Sequence, residues 1–336
     1  MRHDARQYPG SRQVAMPIVL GYYSALEFWN LDCRIPNRPH LLGDARARRR
    51  DTREARRILA EQVPATPDFQ ALVDRYGGPL HLIIPDARTR SKKSDAMNHV
   101  FKDFVHDCAI VRIDEGLYVS VPEFLFLQMA SALSIERLIL LGFQLCGTYA
   151  TSAQNDFVPN VFPLTSPEKI IRFLESLPPC KGRRRALRAA KHVLKASASP
   201  KESQLAMLLS LPYRLGGYGF AQPSMNHRID LSVERQMLLR KRFFVCDLYW
   251  PKEKVDVEYD SAEFHASKER LVADARRRAA LEGLGISSIG ITGAQILDPL
   301  DFEDLAKTIA RIMGRQIKLP ANFADASRHL RREIGL

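Results

Sequence analysis

Two short runs decide the fold: Phe243-Phe244-Val245-Cys246-Asp247-Leu248-Tyr249-Trp250 and Lys254-Val255-Asp256-Val257-Glu258-Tyr259-Asp260. Both are rich in aromatic and β-branched residues, the composition of strands. Only Pro251-Lys252-Glu253 separates them, so a hairpin is expected. Side chains alternate between the two faces of a strand. Val255, Val257 and Tyr259 are then expected on one face, and Asp256, Glu258 and Asp260 on the other. Three like charges on one face repel each other unless something positive sits there. A divalent cation with a preference for hard oxygen ligands, Mg²⁺ or Mn²⁺, answers that need. Asp247, near the end of the first strand, is placed to reach the same ion. A solvated acidic strand edge is the plainer alternative, since edge charges also protect against aggregation.

Working outward, Ser199-Pro200-Lys201-Glu202 opens a helix that continues through Leu205, Leu208 and Leu209. After the acidic strand come His265 and a helix from about Ser267 to Leu281, ended by Gly283 and Gly285. Ile286 to Ile291 reads as a further strand. The expected order is helix, hairpin, helix, strand.

The ordered set Glu202, Asp247-Leu248-Tyr249, Val257-Glu258-Tyr259-Asp260-Ser261, His265, Asp274, Arg278 and Leu281-Glu282-Gly283-Leu284-Gly285 resembles the very-short-patch-repair endonuclease group of the PD-(D/E)XK nuclease superfamily. The resemblance covers roughly the last third of the chain. It implies a restriction-endonuclease-like domain, a central mixed sheet flanked by helices, that hydrolyses DNA phosphodiester bonds with Mg²⁺ or Mn²⁺. Asp247, Glu258 and Asp260 would hold the metal, Glu202 would complete the site or position water, and His265 would be the acid, the base or a phosphate contact. A lone histidine is more often structural than catalytic. The sequence departs from the superfamily at three positions. Asp260 stands where Lys is usual, Ser261 where Gly is common, and Cys246 where Pro precedes the strand Asp.

The N-terminal half reads as mixed α/β. Ile18 to Leu31 has the composition of a short amphipathic helix, and Leu80 to Pro85 that of a buried strand. Ile110–Ile113 and Leu117–Ser120 flank Asp114-Glu115-Gly116 as a hairpin. Pro122 and Glu123 open a helix, and Ser134 caps the next. Ser24-Ala25-Leu26 and Gly116-Leu117-Tyr118-Val119-Ser120-Val121-Pro122-Glu123 resemble AbiEi-type antitoxin/regulator proteins, which usually begin with a winged helix–turn–helix. About twenty residues precede Ser24 here. That resemblance implies a regulatory or recognition role for this half.

The 336 residues carry a formal net charge of +12, which attracts polyanions. DNA is the partner expected of a basic nuclease, beside a possible protein partner or homo-oligomer. Two basic stretches stand out. Arg46 to Arg57 is offset by Asp51 and Glu54. Lys181 to Lys195 reads as a helix with a buried Leu187, Ala190, Leu194 stripe and a face of Arg183, Arg184, Arg185, Arg188, Lys191 and Lys195. A solvated charged face is the alternative for both. The small residues Ala196 to Ser199 mark the expected domain boundary, 1–196 and 197–336. Five scattered cysteines without a CxxC pair argue against a zinc site. The lack of an apolar run of about 20 residues and of a signal-like N-terminus leads to a cytoplasmic expectation. A non-catalytic nucleic-acid-binding regulator on an inactive nuclease fold would share every feature except the need for a metal.

Overall fold

The computed structural model describes residues 17–31, 68–101, 109–151, 157–260 and 268–336. The basic stretch Arg46 to Arg57, Cys33, Cys108 and His265 lie outside the described residues. The fold is mixed α+β, and the chain divides into two compact units. Unit 1 is 1–129 with 175–181; unit 2 is 130–174 with 182–336.

Unit 1 is built on a five-stranded mixed sheet of order β3-β2-β1-β5-β4. Its strands are β1 (Ile18–Leu20), β2 (Leu80–Ile84), β3 (Ala96–Val100), β4 (Ile110–Asp114) and β5 (Leu117–Ser120). The helices are α1 (Tyr22–Leu31), α2 (Phe69–Tyr76) and α3 (Pro122–Met129). The hairpin expected around Gly116 is present, with Gly116 at φ +66°. The single helix expected over Ile18 to Leu31 is not. Ile18, Val19 and Leu20 form the central strand instead, parallel to Leu117, Tyr118 and Val119. Burial between two neighbouring strands outweighs the helical pattern of so short an apolar run. Gly21 then lets the chain turn into α1; a Cβ there would come within 2.5 Å of Ile83 Cγ1. Gln128 ties the turn down. Its Oε1 accepts from Tyr22 N (3.0 Å), and its Nε2 donates to Ser120 Oγ (3.0 Å).

In unit 2, α4 (Ile135–Cys146) is capped by Ser134, whose Oγ accepts from Arg137 N at 3.2 Å. The short hairpin β6 (Tyr149–Thr151) and β7 (Phe157–Pro159) and the helices α5 (Pro167–Ser176) and α6 (Arg183–Ala190) follow. Then comes α7 (Pro200–Ser210). Helix α4 buries Leu138, Ile139, Phe143 and Leu145, and packs against α6 and α7. The chain passes between the units at 129/130, 174/175 and 181/182, and residue 196 lies inside unit 2.

The second sheet contains β8 (Ser224–Asp230), β9 (Phe243–Trp250), β10 (Val255–Asp260) and β11 (Ser287–Thr292), in the order β11-β10-β9-β8. β8, β9 and β10 run antiparallel, and β11 is parallel to β10. Helix α8 (Val233–Leu239) links β8 to β9, and α9 (Lys268–Glu282) links β10 to β11. Leu281 of α9 packs with Phe244, Cys246 and Tyr249 on one face. Leu248 pairs with Val257, and both project to the other face, where α7 packs. Helices α10 (Gly293–Leu297), α11 (Pro299–Ile312) and α12 (Phe323–Ile334) close the unit. Among the described residues, no helix is long and apolar enough to cross a membrane.

Candidate active site

The site forms where the alternation of two strands slips. Phe244, Cys246 and Tyr249 share one face of β9, although their spacing is two residues and then three. The slip falls at Asp247. In the register of β8 with β9, Met225 pairs with Leu248 and His227 with Cys246, so Asn226 stands opposite Asp247. Asn226 has φ +45°, a conformation Asn tolerates better than most residues. His227 stacks on Tyr249 (centroids 5.0 Å apart), as the slip in β8 requires.

The same residue ends a ladder. β9 and β10 pair from Trp250/Val255 to Leu248/Val257, whereas β10 stays paired with β11 as far as Asp260. Where β9 and β10 part, Asp247 Oδ2 takes over as acceptor for Tyr259 N at 3.0 Å. The Asp247 pKa rises to about 7. Burial is the first cause, followed by the negative charge of Glu202; Tyr259 N–H opposes, Glu258 adds to the rise and Arg277 opposes again. Glu202, Asp247 and Glu258 thus share one electrostatic neighbourhood.

Glu202 is held rigidly. Ser199 caps α7 and donates its hydroxyl to Glu202 Oε1 at 2.9 Å, while Ala198 N donates to Oε2 at 2.9 Å. Ser199 Oγ in turn accepts from Glu202 N at 3.1 Å, so the hydroxyl caps the helix while the Glu202 side chain reaches back to the residue before the cap. Asn226 Nδ2 adds a third donor, 2.6 Å from Oε2, and reaches Ala196 O at 2.9 Å. The alternation of β10 places Asp256 and Glu258 on the face toward α9. There, ligand atoms of Cys246, Asp256 and Glu258 lie within 4.8 Å of one another. Asp256 is fully buried; its Oδ2 accepts from Ser288 Oγ at 3.1 Å, and its Oδ1 has no donor among the described residues. Burial, then the adjacent Glu258 carboxylate, holds the Asp256 carboxyl well above its ordinary range. Burial likewise pushes the Cys246 thiol far up, so it stays protonated. Arg277 of α9 forms an ion pair with Glu258 and donates to Val245 O at 2.7 Å. Asp260 is exposed at the end of β10.

Of the residues expected from sequence, Glu202 and Glu258 both act on the Asp247 carboxyl. Among the described residues, however, the ligand atoms close enough to share an ion are those of Cys246, Asp256 and Glu258, without Asp247 or Asp260. Asp260 lies two residues beyond Glu258 on the same strand. Asn226 and Arg277, which bond Glu202 and Glu258, were not singled out from sequence, and Asp256 was counted among the three acids of the strand but not among the expected ligands. Asp256 was within reach of the alternation argument; Asn226 carries no signal in the sequence.

The basic segment is placed beside this site. α6 ends at Ala190, and its buried stripe is Ala186, Ala189 and Ala190. Arg184, Arg185, Arg188, Lys191 and Lys195 are exposed, while Arg183 Nε donates to Leu174 O at 2.7 Å. A groove of about 490 Å³ is lined by Lys191, Lys195, Asn226, His227 and Arg228, with Glu168 as its one acid among the described residues. It joins the cations of this segment to the asparagine that holds Glu202. Comparison of the chain with family models, with curated proteins and with solved structures finds no match.

Proposed function

We propose that unit 2 is a metal-dependent DNA endonuclease of the restriction-endonuclease-like class, acting in a cytoplasmic setting. The observation that carries this reading is the parting of β9 and β10 at Asp247, whose carboxyl feels the charges of Glu202 and Glu258, with Asn226 linking Glu202 to a groove lined by Lys191, Lys195 and Arg228. The order α7, β8, β9, β10, α9, β11 supports it, with an antiparallel meander and a final parallel strand between helices.

The donors fit a hard cation. The proposed ligands Asp247, Glu258 and Asp260 are carboxylates, and Asp256 Oδ1, grouped with Glu258 and the Cys246 thiol, lacks a donor among the described residues. Asp247 and Glu258 would hold Mg²⁺ or Mn²⁺, with Asp260 as third ligand or support. Such an ion polarises a phosphate and lowers the pKa of a bound water. The protein's own part is positional. Lys191, Lys195 and Arg228 hold the DNA backbone by charge. Asn226, the Ser199 hydroxyl and the Ala198 N–H fix the Glu202 carboxylate. Arg277 keeps Glu258 neutralised and oriented. His265, five residues beyond Asp260, is proposed as the proton donor or acceptor.

The second reading, a DNA-binding regulator that uses no metal, is favoured by one observation: Glu258 is already neutralised by Arg277. Plasmid nicking in Mg²⁺ or Mn²⁺ separates the two. The enzyme reading expects nicking by the wild type, and its loss in Asp247→Asn with DNA affinity retained. DNA binding without nicking by the wild type in either metal leaves the regulator.

A further inference from the structure

On the α9 side of the same sheet, a second open cleft of about 840 Å³ lies between α8 and α9. Arg235, Arg240, Lys241, Arg276 and Arg277 line it, and among the described residues no carboxylate does. Two of these cations are tied into the fold. Arg235 donates to Gly283 O at 3.0 Å, and Arg277 holds Val245 O and Glu258. The other three are exposed, and among the described residues none pairs with an acid. Lys241 lies over the Phe244 ring, 5.7 Å from its centroid, which fixes the ammonium at the mouth of the cleft. Arg240 closes α8 in a left-handed conformation, φ +50°, where Gly or Asn is the usual occupant. Three successive cations, Arg240, Lys241 and Arg242, follow from that turn. Ala273, Ala279 and Ala280 line the α9 wall between and beside Arg276 and Arg277 and leave room around those two cations.

We infer that this cleft is a second phosphate-binding groove, which takes the backbone of a nucleic-acid strand beside the candidate active site. The identity of the polyanion rests on the reading of unit 2 as a DNA enzyme. Clustered guanidinium groups without local counter-charges repel one another, and a chain of phosphates relieves that repulsion at several points at once. Arg277 lines the cleft and also pairs with Glu258, so a strand bound here runs next to the carboxylate centre.

The test is fluorescence anisotropy with a labelled DNA duplex in EDTA, over a series of salt concentrations. The full chain is compared with the triple variant Arg240→Gly, Lys241→Ala, Arg276→Ala; glycine suits the left-handed position and protects the fold. A charge-matched control carries Arg311→Ala, Arg328→Ala and Arg332→Ala, on α11 and α12. The triple variant is expected to bind roughly tenfold or more weakly, with a log–log salt slope lower by about two to three. The control is expected to lose much less, and both to melt like the wild type. Equal loss in the two variants, or wild-type affinity in the first, overturns the inference. So does a triple variant that loses binding of tripolyphosphate but keeps its DNA affinity, which would make the cleft a small-anion site. Because metal is absent, failure of the enzyme reading is seen separately, as a wild type that binds DNA here and does not nick it in Mg²⁺.

Discussion

Asp247 Oδ2 accepts the main-chain N–H of Tyr259 at 3.0 Å, at the point where β9 and β10 part. One carboxylate thus replaces a ladder acceptor, while burial first and then the charges of Glu202 and Glu258 raise its pKa. A satisfied backbone donor and an unfavourable buried charge meet at the same residue.

That conflict sets a pH dependence. The folded-state pKa of Asp247, about 7, lies above the ordinary carboxylate value. The folded state therefore binds more protons, and the stabilising contribution is complete below about pH 4 and lost as pH rises through 7. Asp247→Asn keeps an acceptor for Tyr259 and removes the charge. In metal-free buffer at pH 8 it is expected to stabilise unit 2 by about 1–3 kcal/mol, with no gain at pH 4. Urea unfolding at the two pH values measures this; a destabilised variant at pH 8 would contradict it.

Unit 1 is expected to respond in the opposite sense. His81 Nδ1 and His99 Nε2 are 2.9 Å apart, and Tyr22 stacks on His99. Burial, then the neighbouring His81, lowers the His99 pKa to about 4. The unfolded chain takes up this proton first, so stability is lost as pH falls from about 6.5 toward 4. Histidine NMR titration should show His99 neutral at pH 5.5. Hydrogen exchange at pH 5.5 against pH 7 should show weakened protection in β2 and β3. A His99 midpoint near 6.5 refutes the prediction.

Asn226 bears on Glu202 through its side chain and on β8 through its backbone. Asn226→Gly removes two hydrogen bonds without straining φ +45°, and is expected to cost about 1–3 kcal/mol. Asn226→Ala adds the left-handed penalty, on the order of 1 kcal/mol more. Chemical denaturation of both variants checks the order. An alanine variant as stable as the glycine variant would show that the backbone there relaxes.

Gln128 is the corresponding anchor in unit 1. Gln128→Leu leaves Tyr22 N and Ser120 Oγ without that partner in a nearly dry site, and is expected to cost about 2–4 kcal/mol. Thermal unfolding followed through Trp29, whose Nε1 donates to Ser120 O at 2.8 Å, is the direct readout.

The sequence carries the hairpin of β9 and β10 plainly, because both strands are dense in β-branched and aromatic residues around a three-residue link. It also carries the caps of α4 and α7, which depend on local hydroxyls. β8 was not legible: Ser224-Met225-Asn226-His227-Arg228-Ile229-Asp230 is too polar to read as a strand, and its pairing with β9 is a tertiary effect. β1 was hidden for a similar reason, since three residues give no period. Strict alternation placed Asp256 and Glu258 correctly relative to each other. It could not foresee the slip at Asp247, which depends on Asn226 in the neighbouring strand. The partner of Glu258, Arg277, lies nineteen residues away on a helix whose angle only packing sets.

The central claim, that these carboxylates form a metal site, is tested most directly by calorimetric titration of Mn²⁺ into the purified full chain. Asp247→Asn and the double variant Glu258→Ala, Asp260→Ala are titrated alongside. The proposed site predicts saturable binding by the wild type, lost or severely weakened in both variants. Equal binding by all three proteins, or none by the wild type, would contradict it.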